Sequence, residues 1–151
     1  PRPRVSSDQL MKGKHKKAGT AALRNRKVVV ATGSFNPLHY GHVSYLEKAR
    51  EAGGTLLVIV HNDKQAAMRL EKEGWKNPRA MSARDRVKTV RSLACVDAAI
   101  EAVDEDESVC ETLRVLHPHI FAHGGSHKPT PREVDLCREM GIEILEGLGI
   151  E

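Results

Sequence analysis

Short apolar runs alternate with helical patterns along most of this 151-residue chain, and this alternation constrains the fold more than any other feature of the sequence. The runs are rich in Val, Ile, Leu and Ala and predict strands, which lie at residues 28–32, 55–60, 97–101, 119–122 and 142–145. Apolar residues at helical spacing predict helices, which lie at residues 43–50, 63–72, 82–93, 107–116 and 131–140.

This order of strands and helices predicts a parallel sheet. Parallel neighbouring strands need a long crossover connection, which is usually a helix. We therefore predict an α/β fold with a Rossmann-like, doubly wound, parallel five-stranded sheet in a three-layer α/β/α arrangement. Aromatic residues make up only 3% of the chain, so the core must be largely aliphatic. An aliphatic core suits a parallel sheet that helices cover on both faces.

Charge divides the chain near residue 27. Residues 1–27 hold nine Lys and Arg and one Asp, a net charge of +8, whereas residues 28–151 carry a net charge of −4. We interpret residues 1–27 as a basic N-terminal leader or arm and residues 28–151 as the folded domain. A basic arm can contact phosphate or nucleic acid, but such charge blocks are more often solvated, so we do not expect a nucleic-acid partner.

Cysteine usage and hydropathy indicate the compartment. The three cysteines, Cys95, Cys110 and Cys137, are widely spaced and form no Cys-x-x-Cys pair. A disulfide framework is therefore not expected, and a reducing, cytoplasmic compartment fits best. No apolar stretch is long enough to span a membrane, and the first residues lack the apolar segment of a secretory signal peptide. We expect no membrane partner.

The segment from Gly33 to His42 joins the first predicted strand to the first predicted helix and reads Gly-Ser-Phe-Asn-Pro-Leu-His-Tyr-Gly-His. The first turn of a helix has unpaired N–H groups and the positive end of the helix dipole, so this junction can bind an anion. His39 and His42 lie three residues apart and can face one phosphate. Gly33 and Gly41 let a phosphate approach the backbone. These residues indicate a nucleotide-binding enzyme that acts on phosphates.

Metal sites are the alternative interpretation of the histidines. His39 and His42 have the spacing of a zinc pair, but no third ligand lies at a suitable spacing, so we predict no protein metal site. Another four histidines, at positions 117, 119, 123 and 127, resemble a metal cluster by number. We interpret them mainly as loop residues, with His127 as a candidate nucleotide contact.

Two further polar segments directly follow predicted strands. Asn62 and Asp63 follow the second strand, and Gly124 and Gly125 form a turn after the fourth. Ligands of doubly wound sheets bind beyond the carboxyl ends of the strands. We therefore expect these segments and the histidine motif to line one crevice.

The segment from Gly33 to His42 resembles the signature of the cytidylyltransferase-like nucleotidyltransferase superfamily, in which a His-x-Gly-His element opens the first crossover helix and binds a nucleoside triphosphate. Further segments also resemble the family. Residues 42–50 resemble the following helix, and residues 58–63 resemble the second strand with its acidic end. Residues 83–97 contain an arginine that precedes a Val-Asp pair, and residues 121–125 contain a Gly-Gly turn typical of the ADP-heptose synthase branch. The resemblance covers roughly residues 28–150.

The resemblance implies a nucleotidyltransferase that transfers AMP or CMP from a nucleoside triphosphate to a small phosphorylated acceptor and releases pyrophosphate, with Mg²⁺ as cofactor. The Gly-Gly turn favours ATP and a sugar phosphate. The alternatives are a cytidylyltransferase for an alcohol phosphate such as glycerol or choline phosphate, a pyridine mononucleotide adenylyltransferase, or a nucleotide-binding domain without activity. Relatives are often dimers, so analogy suggests a homodimer.

The resemblance also implies residue roles. His39 and His42 would be catalytic, and Asp63 and Arg86 would bind the acceptor, although Asp63 could instead cap a helix and Arg86 could be a surface residue. The nucleotide-binding residues would be Thr32, Gly33, Ser34, Phe35, Asn36, Gly41, Gly124, Gly125 and His127. Asn36 stands where many relatives have Asp.

One family element has no counterpart in this sequence. In the family, a Ser-Ser/Thr pair that opens a final helix binds the outer phosphates, and this sequence ends near the place where that element would begin. We expect either that the sequence is cut there or that other groups bind those phosphates. Lys14, Lys16 and Lys17 of the basic leader are candidates.

Overall fold

The computed structural model describes residues 26–76 and 81–150, and the predicted fold is confirmed. A parallel five-stranded sheet has helices on both faces, and its strand order is β3-β2-β1-β4-β5. The elements are, in chain order, β1 (Lys27–Gly33), α1 (Tyr40–Gly53), β2 (Gly54–Val60), α2 (Asp63–Lys72), α3 (Ala83–Arg91), β3 (Ala98–Glu101), α4 (Cys110–Leu116), β4 (Ile120–Gly124), α5 (Pro131–Met140) and β5 (Glu143–Leu148).

Two aliphatic cores form the layers of the fold. Along β1, successive side chains point to opposite faces of the sheet. Val29 and Ala31 therefore pack on the side of α1 and α3, together with Leu46 and Val90. Val30 points to the other face, which α4 and α5 cover with residues that include Leu113 and Leu136.

Local signals position the helices. Asn62 caps α2, and its side-chain oxygen accepts from the Gln65 N–H, while Thr130 caps α5 in the same way with Glu133. The end of α1 is a glycine, Gly54, in the left-handed conformation with φ of 98°. These boundaries agree with the sequence prediction because caps act within one turn of the chain.

The predicted boundaries differ from the structure at two places that belong to the crevice. The helix predicted at residues 43–50 begins earlier, at Tyr40, because the His39 side chain caps it. The strand predicted at residues 119–122 continues through His123 and Gly124, which we expected in a loop, because Gly124 pairs with Leu148 of β5 beyond a register shift at His123.

The sheet order places a topological switch between β1 and β4. The connection from β1 leads to β2 on one side, and β4 continues to β5 on the other side. The connecting helices therefore leave a crevice at the carboxyl ends of β1 and β4. Among the described residues, no helix combines the length and the apolar character that crossing a membrane requires. The predicted basic leader lies almost entirely outside the described residues.

Gly124 should be the glycine at the crevice that least tolerates a side chain. A Cβ atom there would lie 2.6 Å from Cγ of Tyr45, whose ring is buried. We expect Gly124→Ala to lower the free energy of unfolding by about 3 kcal/mol, the upper end of the usual overpacking cost. Urea unfolding at neutral pH measures the change.

Gly141→Ala is the matched control. A Cβ atom at Gly141 has nothing within 4 Å, and only its φ of 71° opposes a side chain. The left-handed conformation should cost about 1 kcal/mol. Equal losses of stability in the two variants would show that contact with Tyr45 does not determine the cost at Gly124.

Candidate active site

A cavity of about 490 Å³ occupies the crevice between β1 and β4. Its walls come from the loop between β1 and α1, the first turn of α1, one side of α2, and the turn that follows β4. All predicted catalytic and nucleotide-binding residues lie in these walls; they are His39, His42, Thr32, Gly33, Ser34, Phe35, Asn36, Gly41, Gly124, Gly125 and His127. Their roles in binding and catalysis stay predictions.

The two motif histidines cap α1 through their own side chains. The backbone N–H of Gly41 donates to Nδ1 of His39 at 3.1 Å, and the backbone N–H of His39 donates to Nδ1 of His42 at 3.1 Å. The two rings stack with their centroids 3.7 Å apart. This reciprocal arrangement is a capping box in which histidines replace the usual hydroxyl and carboxylate side chains.

The capping bonds determine which ring nitrogen carries the hydrogen atom. A ring nitrogen that accepts a hydrogen bond must be unprotonated, so Nδ1 of each histidine has a free lone pair. In the neutral ring the hydrogen therefore lies on Nε2. His39 and His42 both offer an Nε2–H donor that the helix cap does not use.

The electrostatic surroundings keep His42 neutral. Burial, together with the positive charge of His39, His127 and Arg69 nearby, lowers the pKa of His42 from 6.5 to about 4. Burial also lowers the pKa of His61 and of His123 to about 4. These histidines are uncharged donors and acceptors at neutral pH.

The glycines of the motif make room for the Phe35 and His39 rings. Phe35 is buried, and its ring meets that of His42 edge-on with the centroids 5.0 Å apart. A Cβ atom at Gly33 would come within 3.0 Å of the Phe35 ring, and one at Gly41 within 3.0 Å of the His39 ring. Packing therefore favours glycine at both positions, and the approach of a phosphate to their backbone stays a prediction.

Positive charge lies on the opposite wall, where residue types and spacing did not predict it. Arg69 on α2 lines the cavity, and its Nη2 lies 3.4 Å from Nε2 of His127. Lys128 adds a second cation from the turn after β4. Arg69 occurs in a strongly charged helix, so its residue type and spacing resemble an ordinary solvent-exposed face.

Arg86 is not the surface residue that the sequence allowed, because it has no exposed surface. Its guanidinium donates to the carbonyl oxygens of Ser34, His61 and Met81 and to Oδ1 of Asp63. These bonds tie together the loops that leave β1 and β2. Arg86 therefore positions the wall of the cavity, and contact with an acceptor stays a prediction.

Asp63 and Asn36 connect the same region to the start of α3. Oδ1 of Asp63 accepts from the backbone N–H of Ala83 at 2.7 Å, and Asp63 does not line the cavity. Oδ1 of Asn36 accepts from the backbone N–H of Met81 at 3.0 Å. Substrate contact by Asp63 stays a prediction, and the side chain is 66% exposed.

Three further cavity residues were not predicted as site residues. Nδ1 of His61 lies 3.0 Å from Oγ of Ser34, and Nε2 of His123, which we expected in a loop, is buried without a hydrogen-bond partner among the described residues. The hydroxyl of Tyr45 hydrogen-bonds to both β1 and β4. His61 follows β2, His123 lies on β4 and Tyr45 lies on α1, and only tertiary contact shows that they meet at the cavity.

Comparison with known proteins assigns the family. The sequence matches the model described as cytidylyltransferase-like over residues 30–141. The chain belongs to the cytidylyltransferase-like family. The predicted family of nucleotidyltransferases is thereby confirmed.

Individual relatives of this cytidylyltransferase-like chain agree with the predicted branch. Bifunctional protein HldE of Pelobacter propionicus is 35% identical over 83% of this chain, and HldE of Streptomyces coelicolor is 39% identical over 76%. The matches cover 23% and 24% of those proteins, so the chain spans about a quarter of their length. The crystal structure of the lipopolysaccharide core biosynthesis protein from Thermoplasma volcanium has a TM-score of 0.66 and 27% identity, covering 83% of this chain and 98% of that one.

The neutral histidines predict a loss of stability in mild acid. The folded pKa values of His42, His61 and His123 are about 4, below the ordinary 6.5, so the unfolded chain takes up protons at a higher pH than the folded chain. Stability should be constant above about pH 7 and fall between about pH 6.5 and pH 4, by up to about 1.4 kcal/mol per pH unit for each histidine. Urea unfolding as a function of pH measures this slope.

His123→Gln tests the origin of the slope. The variant lacks one of the three histidines, so the dependence of stability on pH should decrease by the contribution of about one proton per molecule. Burial raises the pKa of Glu133, which opposes the trend but involves a single group. A stability that does not change from about pH 7 to about pH 5 would contradict the neutral state of the buried histidines.

Arg86→Met should destabilise the fold as a whole. Three carbonyl oxygens and Asp63 would lose their donor, and removing one member of a buried charged network typically costs about 3–5 kcal/mol. Arg84→Met on the same helix is the control, because Arg84 is exposed and should change stability by less than about 0.5 kcal/mol. A stable Arg86→Met variant would show that this network does not hold the loops after β1 and β2 together.

Proposed function

We propose that this domain transfers an adenylyl group from ATP to a sugar phosphate and releases pyrophosphate. The observation that supports the proposal most directly is the histidine pair at the start of α1. Both Nδ1 atoms are occupied by backbone N–H groups, so the stacked rings of His39 and His42 are left with Nε2–H donors at a positively polarised helix end.

The proposed reaction needs little covalent chemistry from the protein. An oxygen of the acceptor phosphate attacks the α-phosphorus of ATP, the bond from that phosphorus to the β-phosphate oxygen breaks, and pyrophosphate leaves with the electron pair. Nucleotidyl transfer of this kind depends on positioning and on stabilising charge. His39 and His42 would donate hydrogen bonds to the phosphate oxygens that gain charge.

The second wall supports a phosphorylated acceptor. Arg69 and Lys128 line the same cavity as the histidines, so it offers donors for anionic groups from two directions. In-line attack requires the acceptor phosphate and the α-phosphate to approach each other despite their like charges. Cations beside the cavity offset that repulsion.

The proposal also specifies adenine as the base of the nucleotide and a sugar phosphate as the acceptor. The Gly124–Gly125 turn resembles that of the ADP-heptose synthase branch, and the HldE proteins are similar over most of this chain. Both observations support ATP and a sugar phosphate over CTP and an alcohol phosphate. Pyridine mononucleotide adenylyl transfer and nucleotide binding without turnover are the other outcomes that an assay distinguishes.

Mg²⁺ fits the cavity as a partner of the phosphates. Among the described residues, no group of three or more His, Cys, Asp or Glu side chains could hold a metal ion. The three glutamates that line the cavity, Glu73, Glu107 and Glu133, already pair with Arg69, with Lys72 and with backbone N–H groups. When bound, Mg²⁺ would neutralise phosphate charge, with phosphate and water oxygens as its ligands.

Pyrophosphate release tests the proposal. The four nucleoside triphosphates are each combined with sugar phosphates, alcohol phosphates and pyridine mononucleotides in the presence of Mg²⁺. We expect release with ATP and a sugar phosphate. In His42→Gln, kcat should fall by about 10²–10³-fold while ATP still binds, because Gln can retain the capping bond but lacks the imidazole donor.

His117→Asn is the control for the histidine change. His117 is exposed outside the cavity and has a φ of 43°, which Asn tolerates, so activity should be unchanged. Release with CTP and an alcohol phosphate would overturn the choice of base and acceptor. ATP binding without release from any pair would contradict catalysis by this chain.

A further inference from the structure

Tyr45 connects the two strands that border the crevice. It lies on α1, three residues after His42, and is 7% exposed. Its hydroxyl accepts from the backbone N–H of Thr32 on β1 at 3.1 Å and donates to the carbonyl oxygen of Ala122 on β4 at 2.6 Å. One side-chain atom thus binds both strands.

The hydroxyl is located where the two strands separate. Pairing between β1 and β4 ends at Ala31 and Ala122. Beyond this point β1 pairs with β2 as far as Gly33, and β4 pairs with β5 as far as Gly124. The Tyr45 hydroxyl therefore bridges β1 and β4 at the end of their pairing, where the cavity begins.

Two glycines lie against Tyr45, one at its ring and one at its backbone. A Cβ atom at Gly124 would lie 2.6 Å from Cγ of Tyr45, and one at Gly149 would lie 2.6 Å from the Tyr45 backbone nitrogen. The ring is therefore packed from the β4 side, and the backbone of α1 at Tyr45 is packed from the segment that follows β5. Burial also raises the pKa of Tyr45, so the phenol keeps its proton and remains both donor and acceptor.

The geometry points to Tyr45 as a positioning residue, whose hydroxyl fixes the spacing between the histidine loop that follows β1 and the turn that follows β4. This inference rests on the proposed function only in its choice of ligand. A nucleoside triphosphate that spans both walls needs that spacing to be set before it binds, since ordering the walls during binding would cost affinity. A ligand confined to the histidine side does not.

Tyr45→Phe tests the inference by removing one oxygen atom. Because the strand ends would lose their tie, the amide hydrogen of Thr32 should exchange at least about five times faster, measured residue by residue by NMR. The Kd for ATP should rise at least about tenfold, whereas the Kd for inorganic tripolyphosphate should stay within about twofold. Circular dichroism establishes that the variant is folded at the temperature used.

Tyr40→Phe is the matched control. Tyr40 lies on the same helix, is 71% exposed and does not line the cavity, so its loss of a hydroxyl should change neither exchange nor affinity. In the wild-type chain the Thr32 amide must itself be protected, and exchange as fast as that of an exposed amide would overturn the inference without any variant.

Two results for Tyr45→Phe would overturn the inference. One is a Thr32 exchange rate equal to that of the wild type. The other is an equal change of affinity for ATP and tripolyphosphate, since a merely structural role would not separate the two ligands. If the wild-type chain binds no nucleoside triphosphate, the proposed function fails, and the Thr32 exchange rate alone then decides the role of Tyr45.

Discussion

The first turn of α1 leaves backbone N–H groups that no helical carbonyl accepts, and the candidate site depends on how this chain satisfies them. His39 and His42 accept two of these N–H groups through Nδ1. A ring nitrogen that accepts a hydrogen bond carries no hydrogen itself, so in a neutral ring these bonds place the hydrogen on Nε2. The same bonds that begin the helix therefore determine which hydrogen-bond donors a phosphate would meet.

In the cavity, different residues supply the neutral hydrogen-bond donors and the positive charge. Burial keeps His42, His61 and His123 neutral, whereas Arg69 and Lys128 carry the positive charge. Neutral histidines would donate to a phosphate without holding it as strongly as an ion pair, which would suit the proposed release of pyrophosphate. Magnesium use, a cytoplasmic location and a homodimer stay predictions, and the candidate lysines of the leader lie outside the described residues.

The order of the elements could be predicted because each depends on neighbours in sequence. Asn62 and Thr130 cap their helices within one turn, and the aliphatic runs give strands wherever helices cover both faces. The motif histidines were predicted for the same reason, since spacing alone places them on one helix end. The burial of Arg86 could not be predicted, because a solvent-exposed arginine and a buried one look alike in sequence; only the meeting of two loops with α3 shows that carbonyl oxygens surround it.

The sequence by itself determined the family through the resemblance of its motif, and the doubly wound fold and the strand-to-helix junction through local periodicity, glycines and caps. Only the tertiary structure decided which charged groups face that junction and what holds the crevice. Arg69 comes from α2, and Tyr45 joins Thr32 to Ala122 across strands that are far apart in the chain. Such contacts depend on the packing of whole layers, so they cannot be predicted from the spacing of residues in the sequence.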